Sequence, residues 1–394
     1  MIFAATYVVV GLGRVPGLRL DRTGAAVVGA AFMVAFHVVT PEEAYRLVDM
    51  ATLVLLFGMM VLVGHLRLAG FFRWAGAEVA RRARTPRQLL GGLVVLSGFL
   101  SALFVNDTVC LALTPLVLEV TAALGVRATP YLVALATASN IGSVATLTGN
   151  PQNMLVGVAS RIPYAEFFRA LAPVAALGLL LDFAVIAAVY RRDLAAPFAA
   201  TAQPRVRLHG FLTVKALAAA GAMLAFFFAG ANVSMVALTA GAALLLTRRV
   251  KPEKVFLEIN WNLLTLFAGL FVVVGAARAA GLVDLAFDWL GARDMRSPGA
   301  LAAACTVLSN VVSNVPAVML FTPLAPHLPD PRQAWLLLAM ASTLAGNLTL
   351  VGSIANIIVA EGARKTTPLG FVEYLKVGVP ITLLTLALGT VWLS

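Results

Sequence analysis

Apolar stretches long enough to cross a bilayer recur along this chain. They lie near residues 2–20, 23–40, 47–66, 88–122, 130–160 and 165–190, and again near 211–230, 232–248, 260–279, 298–325, 333–361 and 369–393. A helix needs roughly 20 apolar residues to cross the hydrocarbon core, and in lipid each backbone N–H and C=O must find a partner inside the protein. The chain is therefore expected to be an all-α polytopic membrane protein. Composition agrees. Of 394 residues, 61% are hydrophobic and 12% charged, against about 25% charged in ordinary globular proteins. So few charges could not cover a soluble protein, and so much apolar content excludes disorder. In a soluble chain the net charge of +11 would raise nucleic acid as a partner. Here the expected partner is the lipid bilayer, with no nucleic acid, and the positive charges are to be sorted by loop.

Residues 191–210 are polar and basic, contain Pro197 and Pro204, and divide the two sets of stretches as a linker. Two shorter segments, 68–86 and 280–296, mix charge with aromatics and are read as helices lying in the interface. No basic residue precedes the apolar run from Ile2 to Gly13, so it is read as a first helix and not as a signal peptide.

Two stretches in each set are unusual. Residues 88–122 are about 35 long, too long for one span, and polar in the middle at Asn106, Asp107 and Thr108. This is expected to be a re-entrant hairpin, tolerated at membrane depth only where protein or a watery cavity surrounds it. Residues 130–160 carry TLTGNPQN (146–153), in which Gly149 and Pro151 break the helix.

The second set repeats these features. A shift of 208 carries Leu100-Ser101 onto Leu308-Ser309, Asn106 onto Asn314 and Thr114-Pro115-Leu116 onto Thr322-Pro323-Leu324. A shift of 203 carries Ser139, Thr146, Gly149 and Asn153 onto Ser342, Thr349, Gly352 and Asn356. A shift of 211 carries Gly58, Gly64, Arg67 and Gly70 onto Gly269, Gly275, Arg278 and Gly281. Three similar shifts in consistent order describe two units, 1–190 and 211–394. The first holds hairpin 88–122 and broken helix 130–160; the second holds hairpin 298–325 and broken helix 333–361. Three spans, a returning hairpin, a broken span and a final span make five crossings. An odd number inverts the second unit, the pattern of secondary transporters.

The charges fit this topology. With the N-terminus outside, the inner loops carry 22 of the 29 Lys and Arg, and the outer side carries Arg46, Arg161, Arg169, Arg278, Arg293, Arg296 and Arg332. The positive-inside rule therefore puts both termini outside. The same alternation would hold if each hairpin crossed twice. Length decides instead: arms of about 15 residues are short for a core of ~30 Å.

The polar interruptions carry the chemistry. The hairpin tips are FVNDT (104–108) and VSNVP (312–316), and the breaks are TGNPQN (148–153) and VGSIAN (351–356). Half-helix N-termini offer free N–H groups to an anion, while unwound carbonyls with Asn, Ser and Thr side chains suit Na⁺. Asn106, Asn314, Asn153 and Asn356 can contact a solute or cap broken backbone. Asp107, with Thr108 beside it, is an acid at membrane depth and so a candidate proton carrier or cation ligand; as a plain residue it would cap the second half-helix. The second tip has Val315 in its place. Asp182, in LLLDFAV, either senses protons or pairs with a neighbouring helix, with pairing the preferred reading. His37 is read as interfacial, and Asp284 and Asp288 as solvated. Cys110 and Cys305 lie in apolar segments as core residues, with no disulfide or zinc pattern. Nothing matches a P-loop, a metalloprotease helix or a hydrolytic triad, so no enzyme is expected, and no cofactor beyond a bound Na⁺.

SALFVNDTVCLALTPLVL (101–118) resembles the first hairpin of the ArsB arsenite/antimonite permease family. SNIGSVATLTGNPQN (139–153) resembles the corresponding break in citrate-transporter-like and NhaD-like members of the same ion transporter superfamily. The spacings Asn106 to Pro115 and Asn314 to Pro323 are similar to the Ser-Asn-Thr hairpins of the divalent-anion:sodium symporters. The resemblance implies that Asn106, Ser313 and Asn314 face the substrate. It places Asp107, Thr148, Gly149, Asn150, Gly352 and Ser353 at or beside cation sites. It also implies a dimerising scaffold, a moving domain of hairpins and breaks, an elevator-like mechanism and a bacterial or archaeal plasma membrane. The tips depart from the pattern, reading Val105-Asn106-Asp107 and Ser313-Asn314-Val315. Each has lost a hydroxyl, which fits a smaller or neutral solute such as arsenous acid better than a di- or tricarboxylate.

The expected function is secondary active transport of a small inorganic solute or anion, arsenite or antimonite efflux first, coupled to H⁺ or Na⁺ through Asp107. The rivals are a Na⁺/H⁺ antiporter, a Na⁺-coupled citrate or dicarboxylate transporter, and a passive channel. Facing hairpins with broken helices make an occluded site, which speaks against the channel.

Overall fold

The structure is a computed structural model that describes residues 1–13, 20–198, 206–246, 249–282 and 297–394. Arg14 and Arg19, linker residues 199–205, and Asp284 and Asp288 of the expected interfacial segment lie outside the described residues. In the first half the helices are α1 (Ile2–Leu12), α2 (Arg22–Ala35), α3 (Pro41–Leu47), α4 (Met50–Leu68), α5 (Phe71–Arg82), α6 (Pro86–Leu103), α7 (Asn106–Leu124), α8 (Thr129–Ser143), α9 (Pro151–Ser160) and α10 (Tyr164–Val189). In the second they are α11 (Gly210–Phe228), α12 (Val233–Leu245), α13 (Pro252–Phe256), α14 (Trp261–Ala279), α15 (Pro298–Val312), α16 (Asn314–Phe321), α17 (Pro331–Ala345), α18 (Ile354–Ala363) and α19 (Phe371–Leu393). Among the described residues seven helices are long and apolar enough to cross a membrane: α4, α6, α7, α10, α11, α14 and α19.

Local chemistry sets the helix ends. Thr85 accepts from Gln88 N with Pro86 in the first turn of α6, and Asp330 does the same for Gln333 N ahead of Pro331. Thr40 and Glu43 form a reciprocal capping box that starts α3, a helix too short and polar to show in the apolar pattern.

The helix boundaries follow the sequence shifts. Adding 211 carries the starts of α2, α3 and α4 onto those of α12, α13 and α14. The packing follows as well. A Cβ on Gly58 of α4 would strike the backbone of Ala237 in α12, and one on Gly269 of α14 would strike the backbone of Ala26 in α2. Both members of the first contact map onto the second by the same 211. These helices, with α1 and α11, pack mainly on one another as a frame.

The first hairpin differs from expectation. Its arms, α6 and α7, have 18 and 19 residues, because Asn106 begins a helix and does not sit in a loop. Shortness of the arms is therefore no argument for re-entrance there. The second hairpin is uneven, with 15 residues in α15 and 8 in α16. Pro323 follows the end of α16, whereas Pro115 is accommodated inside α7. In the first unit α1 stops at Gly13, which has φ 76.

Ion pairs between elements join residues that the charge sorting assigns to one side. Arg127 pairs with Asp193 and Glu373, Arg67 with Glu258, and Arg73 with Glu119, all on the basic face; Arg332 pairs with Glu166 on the other.

Candidate functional site

The two breaks are held alike. Asn153 Nδ2 donates to Ser143 O (3.0 Å) and Thr146 O (2.9 Å), and Asn356 Nδ2 donates to Gly346 O (2.7 Å) and Thr349 O (3.1 Å). The carbonyls correspond at a shift of 203, as do the asparagines. Both side chains are fully buried and committed to unwound backbone. Asn150 caps α9 by accepting from Asn153 N at 2.8 Å, and Ser353 caps α18 by accepting from Ala355 N at 3.2 Å. Pro151 at the start of α9 brings no N–H, and each cap takes up one of the N–H groups at its helix start. Gly149 lies so close to Ser143 that a Cβ would strike its carbonyl, and a Cβ on Gly352 would meet Gly346 O at 2.9 Å.

The first tip docks on the first break. Asn106 N donates to Gly149 O at 3.0 Å, and the Thr146 hydroxyl donates to Ala102 O. From here a chain of asparagine side chains crosses to the second break. Its polarity is fixed from one end. Asn356 Nδ2 faces carbonyls, so its Oδ1 must accept from Asn140 Nδ2 (3.0 Å). The same nitrogen donates to Asn347 Oδ1 (2.8 Å), and Asn347 Nδ2 donates to Thr137 O (3.2 Å). Asn140 Oδ1 is then left to accept from Asn106 Nδ2 (2.9 Å) and Ser353 Oγ (3.1 Å). Asn106 Oδ1 is thereby fixed as an acceptor at the tip, and no donor reaches it among the described residues. Asn314 Oδ1 at the second tip is also without a donor, and so are the hydroxyls of Ser101 and Ser309, each five residues before its tip asparagine.

Asp107, Thr108 and Ser313 are half-buried at the tips. Ser313 joins α15 to α16 with φ 78 and ψ 158, a conformation nearly confined to glycine. Thr148 points elsewhere, its hydroxyl 3.1 Å from that of Tyr164. Asn150 Nδ2 reaches across to Thr343 Oγ1 at 3.1 Å and also donates to Ser143 Oγ at 2.9 Å. The structure thus gathers Asn106, Gly149, Asn356 and Ser353 into one network. Asn153, Asn150 and Thr148 serve the break around it.

The hub of the network, Asn140, its partner Asn347, and Thr343, which meets Asn150 across the breaks, are absent from the sequence-derived set. The signal was present in the residues: Asn140 interrupts an otherwise apolar helix inside the quoted SNIGSV run. No Lys or Arg falls within the tips or breaks; Arg87, Arg127, Arg161, Arg332 and Arg364 flank them toward the helix ends. The site offers uncharged acceptor oxygens and one acid.

The chain matches the family described as "CitMHS: Citrate transporter" over residues 7–345. It is 31% identical to the silicon efflux transporter LSI3 of rice, over 95% of this chain and 93% of that protein. An uncharacterized transporter of Mycobacterium tuberculosis is 31% identical over all of this chain and 96% of its own. The putative transporter arsB of Dictyostelium discoideum is 24% identical over 94% of this chain and 87% of its own. In fold the chain is similar to the YdaH transporter of Alcanivorax borkumensis, with TM-score 0.59 and 15% identity, over 100% of this chain and 95% of that one. A helical membrane architecture, a buried polar network in its centre and these full-length likenesses lead to one assignment: the chain belongs to the citrate transporter (CitMHS) family, with ArsB-like relatives, and is an integral membrane transporter.

Proposed function

We propose that this transporter carries a small, neutral, hydroxylated inorganic solute, arsenous acid first, by proton-coupled exchange. The observation that carries the reading is the fixed polarity of the asparagine chain. The unpartnered acceptor of Asn106 at the first tip calls for a ligand that donates a hydrogen bond, since a buried polar oxygen left unpaired costs about 1–3 kcal/mol. A trihydroxy or tetrahydroxy acid in its neutral form is such a ligand. A di- or tricarboxylate is not, because it brings acceptors of its own and the tips and breaks contain no basic residue. The silicon efflux transporter and arsB relatives support the same class, silicic and arsenous acids both being neutral and hydroxylated near pH 7.

Asp107 is the coupling residue of this reading, half-buried beside the Asn106 acceptor. The two units are inverted, with 1–190 and 211–394 contributing one hairpin and one break each, both termini outside, and an elevator-like movement of hairpins and breaks against the frame. Supporting this are the helix starts in register at a shift of 211, the matched Gly58–Ala237 and Gly269–Ala26 contacts, and the same-side ion pairs. A second reading, Na⁺/H⁺ exchange, draws on the same acceptors, which could hold a cation with Asp107 as its charged ligand.

The test is uptake into proteoliposomes of labelled arsenite, germanic acid as a silicic acid tracer, citrate and Na⁺, each with and without a pH gradient. Arsenite or germanic acid flux that follows the gradient, and loses that dependence in Asp107→Asn, is the expected result. Citrate flux alone sinks the neutral-solute reading. Gradient-driven Na⁺ flux without solute selects the antiporter.

A further inference from the structure

Asp182 stands two turns before the end of α10 and is fully buried, at 0% exposure. Pairing with a neighbouring helix, the preferred expectation, is not found: neither carboxylate oxygen has a hydrogen-bond donor among the described residues. The helices packed on α10 supply no counter-charge at this depth. From α8 comes Thr137, beside the carboxyl, with Tyr131 a turn and a half earlier. From α19 comes Tyr374, while Glu373 and Lys376 pair with each other. The charged group of α6 is Arg87, in its first turn. His209 precedes α11, whose Lys215 donates to the carbonyls of Leu244 and Leu246 at the end of α12. Arg332 of α17 pairs with Glu166 of α10 itself, and Arg169 lies one turn further along that helix. An ionised carboxylate alone in such a place is so costly that the group takes up a proton instead.

Its surroundings lead to the solute site by two routes. Thr137 O accepts from Asn347, and Asn347 accepts from Asn140. The Tyr374 hydroxyl accepts from Asn356 Nδ2 at 2.9 Å, and Asn356 accepts from the same Asn140. Asn140 in turn holds Asn106 at the tip. A change at the tip that moves Asn140 therefore reaches both neighbours of Asp182. We propose that Asp182 is a second proton-binding site of the transporter, carried as the acid in this state and exchanging its proton with water when solute occupancy shifts the asparagine chain. The exchange makes or breaks one carboxyl O–H bond. Its role in coupling rests on the proton-coupled reading above; its being an acid that titrates does not.

Two measurements on the full-length protein test this. Infrared spectra of wild type and Asp182→Asn are compared for the C=O band of a protonated carboxylic acid. Asparagine keeps the size and neutrality of the acid; should that variant not fold, Asp182→Thr is read in the same way. The expected result is a band in wild type at neutral pH whose Asp182 component is missing from the variant and fades as the pH is raised. A band equal in both proteins means Asp182 is ionised, and a component that persists unchanged as the pH is raised means an inert buried acid; either overturns the proposal. The second measurement is protons moved per arsenite in proteoliposomes, expected to fall to about half in the variant. An unchanged ratio and pH profile overturn the coupling role. If wild type moves no arsenite, the functional reading fails, while the infrared titration still decides the proton site.

Discussion

Asn140 concentrates the energetics of the site in one side chain. It makes four hydrogen bonds with other side chains, to Asn106, Asn347, Asn356 and Ser353, all buried. Removing it in Asn140→Ala strands two acceptors and two donors where water is scarce. A loss of about 2 kcal/mol or more is expected, the unfolded state in a membrane being able to re-pair some of them. Asn140→Asp is the sharper variant. It keeps the shape but loses both donors, so the Oδ1 atoms of Asn347 and Asn356 face a carboxylate. Melting in detergent should rank wild type above both variants, and solute protection against heat should vanish in each. A wild-type melt with retained solute protection in Asn140→Ala would mean that the chain does not organise the site. Ser313 makes the opposite case. Its φ of 78 strains any residue with a Cβ, so Ser313→Gly should raise the melting point by an amount worth about 1 kcal/mol. Transport should fall if the hydroxyl faces solute. A lower melting point would show that the hydroxyl, not the backbone, dominates there.

At the scale of elements, packing is set where small residues let backbones meet. A Cβ on Gly142 of α8 would strike the backbone of Gly98 in α6, and a Cβ on Gly58 or Gly269 would do the same at the equivalent frame crossings. Such close approach is what drives helix association in lipid. Gly58→Val and Gly269→Val should therefore destabilise by similar amounts, about 2 kcal/mol each, since they occupy matched contacts. A loss confined to one of them, read as the fall in folded yield and melting point, would break the equivalence. Most of these helices could be read from the sequence, because apolar runs and polar breaks are strong signals in a chain that must satisfy its backbone in lipid. The residue shifts that revealed the repeat also reproduce helix starts. What escaped was short or long-range. Helices α3 and α13 have 7 and 5 residues, with too little apolar face to show a period. Arm lengths in the first hairpin were underestimated because Asn106, polar and at a tip, reads as loop yet begins a helix. The tip and break residues stood out as polar groups in apolar surroundings. Their partners did not: Asn140 meets Asn347 and Asn356 across 207 and 216 residues, and no local pattern encodes that pairing.

The whole molecule sets a frame against a centre, and an elevator-like cycle requires the two to slide. The frame is tied together by close crossings such as Gly58 with Ala237. Between frame and centre lie further contacts, one of them where α1 meets α15. There a Cβ on Gly11 would lie 2.8 Å from Val311 O, which makes the two neighbouring positions the place to introduce a pair of cysteines. The native Cys110 and Cys305 are both buried and compete little for an oxidant. Oxidative bridging of Gly11→Cys with Val311→Cys should stop solute flux while leaving solute binding intact, and reduction should restore flux. A bridge within the frame, Gly58→Cys with Ala237→Cys, is expected to disturb packing at its crossing but not to arrest movement in the molecules that fold. The comparison matters more than either variant. If the α1–α15 bridge leaves flux unchanged, the centre does not move past α1, and transport must then proceed by local opening of the hairpin tips. In that case the half-buried tip residues Asp107, Thr108 and Ser313, not the α1–α15 contact, become the gate.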